Sequence, residues 1–571
     1  MSESVGPYEA KDSHSVSGPE KGFNNVVAGE GDVITVKNAE RPDLMTRMGL
    51  TKESFERRTL ADKHNQLNKT LKTRHLNMIA IGGSIGAGLF VGSGSALSTG
   101  GPGALLLDFG IVGVMIFMVV YALGELAIQY PVSGGFYTYS VRFIDPSWGF
   151  AMGYNYVFQW AIVVPLELTV AGFTVGYWQV DVSVGVWITI FFLAIVFINI
   201  FGVLGYAEEE FWVSALKLIT IVIFLIMGVI FVCGGGPSNG DYSEYWGARL
   251  WYDPGALAQG FYGICAVFVT AAFSFSGTEL VGLAAAESET PQASLPSAIK
   301  QVFWRITLFY ILALLFVGLL VPYTDDRLLG AGYIDVTASP FVIVAEKAGI
   351  PAFGSFVNVV ILCSVLSIGM SGVYGGSRTL TALAEQGYAP KIFGYIDRAG
   401  RPLVSVSLIL AFGPIAYIGL ASSGAVVFDW LLALSGLAAL FTWGSICLAH
   451  IRFRAAWKYH GHSLDELTWK SPFGVWGSWL GLLIIFLVLA AQFYTAVKPM
   501  EAEAFFKSYL ALFVVLLFYA IGYAWKREGW RKLSEIDVDS GRRVLNFEEY
   551  EKLKARKAGW PMWKRVLDYL F

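Results

Sequence analysis

Four ionisable side chains, Glu125, Glu167, Lys217 and Glu279, lie inside sequence that is otherwise apolar enough to enter a membrane. Placing such a group in a span costs about 2.5–3.5 kcal/mol on insertion scales, so each is a functional candidate by default. The chemistry open to them is ion pairing and the uptake and release of protons. A second kind of chemistry is carried by the stretch from Ile79 to Phe90, which holds Gly82, Gly83, Gly86 and Gly88 in one short window. Each glycine costs about 1 kcal/mol in a helix interior, so this is the easiest place for the helix to unwind. An unwound turn at membrane depth must be buried in protein or line a polar cavity. The half-helix that follows presents free N–H groups and a positive dipole end, which bind an anion. Ser84, Gly86, Ala87 and Gly88 supply those groups. The freed carbonyls of Ile81 and Gly82 accept from a cation. A second interruption, Phe273-Ser274-Phe275-Ser276-Gly277-Thr278-Glu279, offers the carbonyls of Phe273, Ser274 and Ser276. Each has a plainer reading. Gly82-x-x-x-Gly86 is a helix-packing motif, and a hydroxyl patch can bond back to its own helix. A nucleotide-binding glycine loop is disfavoured, because no strand precedes it.

The elements that position these residues are membrane helices. The 571-residue chain is 55% hydrophobic and 15% charged, with a mean hydropathy of +0.56. It reads as an all-α polytopic membrane protein. A net charge of −3 implies no nucleic-acid partner. Cys233, Cys265, Cys363 and Cys447 lie in or beside apolar spans, so neither a disulfide framework nor a metal site is expected. Twelve apolar spans fall at about 76–98, 104–128, 149–178, 184–204, 211–233, 259–285, 303–322, 354–380, 403–420, 427–450, 475–494 and 506–525. Lysines and arginines concentrate before span one, on alternate loops and after span twelve. The positive-inside rule therefore places both termini in the cytoplasm. Glu208-Glu209-Glu210 is expected in the inner loop before span five. Asp108 and Asp429, near outer span ends, are expected to be solvated.

The two interruptions stand in spans one and six, five apart. That is the spacing of a five-plus-five inverted repeat with broken helices one and six, and spans eleven and twelve appended. Paired breaks in matching positions point to a transporter site. The expected organisation is a disordered cytoplasmic tail over 1–73 and a transporter domain over 74–525. Within the domain, 74–235 and 255–450 are the repeats, 475–525 holds the last two helices, and 526–571 is a cytoplasmic tail.

Arg74-His75-Leu76-Asn77-Met78 followed by the first break strongly resembles the entry to span one of the fungal amino-acid permeases of the amino acid–polyamine–organocation superfamily. Further matches are Gly124-Glu125-Leu126 with Pro131 to Phe136, Pro165-Leu166-Glu167-Leu168, Glu210-Phe211-Trp212 before Lys217, Phe273 to Glu279, and Ser377-Arg378 through Ala389-Pro390. The resemblance runs from about residue 70 to 530. It implies proton-driven uptake of amino acids at the plasma membrane, powered by the proton gradient with no cofactor. The substrate's carboxylate would then meet the N–H groups of the first break and its ammonium the freed carbonyls. The resemblance also implies that Phe273 closes over the substrate, that Glu167 helps to select it, and that tail lysines such as Lys11, Lys21 and Lys37 accept ubiquitin. It suggests that the Lys217 ammonium bridges spans one and eight where sodium-coupled relatives hold sodium. Lys217 would then couple the proton, with Ser364, Ser367 and Ser371 able to face it. Glu279 could receive the proton or cap the freed helix, and Glu125 reads as structural. One departure is Ala87, where the family usually has threonine. No nucleophile–base arrangement suggests an enzyme. The rival readings are an amino-acid sensor on the same fold and a transporter of polyamines or related amines. Broad-range proton-coupled import is favoured, because Pro165-Leu166-Glu167 is similar to the general permeases.

Overall fold

The computed structural model describes residues 45, 50–58, 71–132, 134–284, 287–288, 291–329, 339–421, 424–498, 500–542, 555 and 559–563. With no water in a bilayer core, backbone groups are satisfied most simply inside helices, and all twelve expected spans lie on helices. Among the described residues, nine helical stretches are long and apolar enough to cross a membrane, and Val184–Ile200 and Phe309–Leu320 are shorter apolar helices. One of the nine, Gly88–Gln129, carries both the second half of span one and all of span two. The bend between them is Gly101, with φ 79°. A Cβ there would stand 2.8 Å from Ala256 O and Ala258 N, so the turn docks tightly on the segment before span six.

Span one is two pieces. Its first half is Thr73–Gly82. Its second half opens with a π-helical turn, Gly88–Gly92, and continues from Ser93. Span three, Pro146–Thr174, is capped by Asp145, whose carboxylate accepts from Ser147 N at 2.7 Å. It stays helical through Pro165. Span six is Gly260–Phe275, four non-helical residues, and Leu280–Ala284. Span seven is longer than expected. It starts as Pro291–Trp304, passes through π-turns Arg305–Leu312 and ends as Ala313–Leu320. Span eight is Pro351–Glu385, and span ten is Gly424–Tyr459. Two short helices outside the spans, Phe136–Phe143 and Pro340–Lys347, were not expected.

Spans three and six are buried almost all round, whereas only 11% of span twelve is covered. The first two therefore form the centre, and the last faces outward with residues such as Leu516, Leu517 and Ile521 exposed. Three expectations need correction. Span five begins at Gly202, one residue after span four ends, so Glu208 to Glu210 are helical rather than in a loop. Two of the three have partners on neighbouring spans: Glu208 pairs with Arg74 and with His75 Nε2, the latter at 3.1 Å, and Glu210 is held as described below. Asp108 is fully buried, and neither of its carboxyl oxygens has a hydrogen-bond partner. Span six packs along span two and puts Cys265 near it, which excludes water. The side chain of Asp429 lies outside the described residues. Lastly, part of the expected disordered tail is anchored. Arg58 N donates to Ile396 O at 3.1 Å, Arg398 N to Glu56 O at 2.9 Å, and the Arg401 guanidinium covers the Phe55 ring at 4.0 Å. Lys11, Lys21 and Lys37 lie outside the described residues.

Glu125 is a structural tie. Arg454 grips it through Nε at 2.5 Å and Nη2 at 2.7 Å, and Ser471 N donates to it at 2.7 Å. His450 Nε2 stands 3.1 Å away. Removing one partner of such a buried pair costs about 3–5 kcal/mol. Glu125→Ala is therefore expected to lower the melting temperature of the solubilised protein markedly, and an unchanged melting temperature would refute this role.

Candidate functional site

The two breaks meet in the middle of the bundle. At the first, Gly83 N closes the half-helix on Ile79 O at 3.0 Å and Ile85 N turns back to Gly82 O at 2.9 Å. At the second, Ser276 N bonds Phe273 O at 3.0 Å, and Gly277 takes φ 94°. A Cβ on Gly277 would lie 2.7 Å from Gly83 O, and one on Gly88 would lie 2.6 Å from Ser274 Cα. Glycine is thus what lets the two breaks touch. Tyr310 of span seven fastens them. Its hydroxyl lies 3.0 Å from Ser84 O and 2.7 Å from Ser274 O. No periodicity in the sequence marks Tyr310, and the reading above missed it.

A small cavity lies against the breaks. Span one contributes Ser84, Gly86, Ala87 and Gly88, and span six contributes Phe273 and Ser276. Span three contributes Trp160, Val163 and Glu167, which share one helix face by their spacing, and span eight adds Ile368. Seven of the ten residues named from the sequence as substrate-binding are thereby brought to one space. The other three stand behind it. Gly82 O accepts from Lys217 Nζ at 3.1 Å, Ser274 O is taken by Tyr310, and Ile81 is partly buried beside them. Trp160, Val163 and Ile368 were not anticipated, because an apolar face of a helix looks the same in sequence whether it lines a cavity or a core.

Glu167 is fully enclosed, and one of its oxygens has no hydrogen-bond partner. Its carboxyl reaches the backbone of Ala87, and Lys217 acts on it electrostatically. Trp160 Nε1 is likewise buried, with the Tyr156 hydroxyl beside it. Gln159 Nε2 donates to Ser276 Oγ at 2.9 Å. The wall therefore offers the free Glu167 oxygen as an acceptor to a small polar solute.

Behind the first break, Lys217 and Glu210 are both wholly buried and 3.8 Å apart. Ser367 of span eight donates to Glu210 at 2.5 Å, so Lys217 reaches span eight through a carboxylate. Of the other serines on that span, Ser371 bonds Tyr206 and Ser364 bonds its own helix. Glu279 caps the second break. Its carboxyl accepts from Gly277 N at 3.4 Å, Tyr156 OH at 3.2 Å and Trp443 Nε1 at 3.1 Å. It shares no partner with Lys217.

Toward the face where the chain enters span one, Arg378 pairs through Nε with buried Glu287, and its Nη2 lies 3.3 Å from the second carboxyl oxygen. The guanidinium covers the Tyr374 ring at 4.0 Å, and Tyr374 stacks on Tyr206 at 4.6 Å. Leu71 N bonds Glu287 O at 3.1 Å, which brings the approach to span one into the seal. On the opposite side, helix Pro340–Lys347 covers span one, with Ser339 Oγ donating to Phe90 O at 2.6 Å.

Two interrupted helices meeting beside a small cavity, within a bundle of twelve spans, define a membrane carrier of the broken-helix kind. A family model described as amino acid permease matches residues 75–535. The chain belongs to the amino acid permease family. It is 60% identical over 565 residues to "Amino-acid permease inda1" of Hypocrea atroviridis, covering 97% of this chain and 98% of that one. It is 52% identical over 520 residues to "General amino-acid permease GAP1" of Saccharomyces cerevisiae, covering 88% and 86%. With "General amino-acid permease GAP2" of Candida albicans, identity is 47% over 572 residues, covering 98% and 95%.

Proposed function

We propose that this chain is a plasma-membrane importer of a broad range of amino acids, coupled to protons and working by alternating access, with both termini in the cytoplasm. The observation that carries the proposal is the pairing, across one small cavity, of the half-helix start at Ser84 to Gly88 with the unpartnered carboxyl oxygen of Glu167. The first suits a carboxylate and the second an ammonium, which are the two charges every α-amino acid brings. A polyamine has no use for the first of these. Phe273 shuts the cavity over the substrate, and Ser276 and Ile368 complete the wall. Lys217 couples the proton behind the first break, and Glu279 holds the second. The breadth of substrates is supported by the likeness to relatives named general permeases. Ubiquitin attached to tail lysines would set the protein's lifetime at the surface.

The test is uptake of labelled amino acids by cells lacking their own permeases, at acidic and neutral external pH, with and without a protonophore. Accumulation is expected to rise on acidification and to collapse with the protonophore. Protein at the surface without uptake of any amino acid would overturn the reading in favour of a sensor.

A further inference from the structure

Ser214, one turn from Lys217 on span five, has one hydroxyl hydrogen and two acceptors in reach. Its Oγ is 2.7 Å from Glu210 Oε1 and 3.3 Å from the carbonyl oxygen of Met78, in the first half of span one. A backbone carbonyl cannot donate. If Ser214 gives its hydrogen to Met78, the contact with Glu210 is a hydrogen bond only when Glu210 carries a proton and donates. If Glu210 is ionised, Ser214 must turn to it and release Met78. The two arrangements differ by one proton. The other oxygen of Glu210 is already satisfied by Ser367. Lys217 gives its own short bond to Gly82 O and stands 3.8 Å from Glu210, too far for a charge-assisted hydrogen bond.

The charge count calls for one proton on the pair Glu209 and Glu210. One oxygen of Glu209 is buried without a hydrogen-bond partner, and the carboxyl of Glu209 also reaches Ser367. Two carboxyls thus share one serine and face one ammonium. Other titratable groups acting here are Tyr206 on the same span, Cys363 on span eight, and Glu167 on span three, which faces Lys217. Arg74 and His75 of span one are engaged by Glu208. None of these supplies a second cation beside Glu209 and Glu210.

We propose that Glu210 is a proton-carrying residue of this transporter, and that Ser214 passes its protonation state to the first half-helix of span one. This rests on the reading of the chain as a proton-coupled importer. A proton from the outer water forms the O–H bond on Glu210. Ser214 then bonds Met78 and holds the half-helix to span five. When that O–H bond gives its proton to the inner water, Ser214 returns to Glu210 and the half-helix loses that tie. Gly82 sits at the same contact, where a Cβ would meet Ser214 Oγ at 1.7 Å, so glycine is what lets span five approach the half-helix this closely.

The experiment uses the full-length protein in proteoliposomes, with the labelled neutral amino acid that the wild type accumulates best and a pH-sensitive dye. The wild type should show acid-stimulated uptake and proton influx driven by the amino acid. Glu210→Gln should lose both the acid stimulation and the proton influx while still exchanging internal for external amino acid. Glu210→Asp and Ser214→Ala should each shift the pH midpoint of uptake. They carry the test if Glu210→Gln does not fold. A wild-type pH profile and proton influx in Glu210→Gln would overturn the assignment, as would unshifted midpoints in both other variants. A wild type that takes up amino acid without proton influx would instead overturn the coupled-import reading itself, and this assignment with it.

Discussion

Replacing Gly88 with alanine is expected to lower amino-acid uptake by about a hundredfold while the protein still reaches the membrane. The added Cβ would stand 2.6 Å from Ser274 Cα and 2.7 Å from Ser274 Oγ. A side chain could turn aside, but the Cα belongs to the second break and cannot. The two interrupted helices must therefore separate by about 1 Å, and displacements of that size at a reacting or binding centre cost about a hundredfold. The wall of the cavity opens at the point where backbone N–H groups of span one face Phe273 and Ser276. Gly176→Ala is the control, because nothing lies within 4 Å of a Cβ there. Uptake in permease-deficient cells, normalised to surface protein, measures both. Wild-type uptake by Gly88→Ala would show that the contact between the breaks has no part in transport.

Arg378→Leu is the second large effect. Glu287 would keep its buried carboxylate and lose the guanidinium that grips both oxygens; among the described residues Tyr374 OH would remain at 3.2 Å. An uncompensated buried charge costs about 3–5 kcal/mol, a large part of a typical folding stability of about 5–15 kcal/mol. A steep fall in melting temperature and in surface abundance is expected. Removing both charges, as Arg378→Leu with Glu287→Leu, should recover much of the melting temperature, since apolar replacements of buried pairs are often neutral or better. Uptake should not recover, because the seal over the approach to span one would have lost its reversible ionic latch. Recovery of both would make the pair scaffolding only.

Both variants sit on features of very different legibility. Gly88 could be found in the sequence, because helix propensity is local: four glycines in one window mark a break whatever surrounds them. The second break was readable for the same reason, and the hydrophobic spans placed every helix that crosses the membrane. Glu287 and Arg378 are far apart in sequence, and nothing in either span says that they meet. The same holds for Tyr310 and for Trp160, whose roles come from what stands opposite. The run Glu208 to Glu210 misled because acidic runs are ordinarily solvated, and here Ser214 and Ser367 replace the solvent around buried Glu210. Asp108 misled because the burial of one helix by another leaves no trace in the pattern of either.

The Tyr310 hydroxyl, touching Ser84 O and Ser274 O together, has a mechanical consequence. A rivet through two levers leaves them one degree of freedom instead of two. In the proton-coupled carrier proposed above, halves of spans one and six that swung separately would at times leave both doors of the cavity ajar, and protons would run down their gradient with no cargo moved. With one hydrogen to share between the two carbonyls, the phenol links the breaks, so that a shift of either alters its bond to the other. Under that proposal the arrangement is an airlock with interlocked doors, and its yield is economy: little of the stored gradient would drain away through idle cycles.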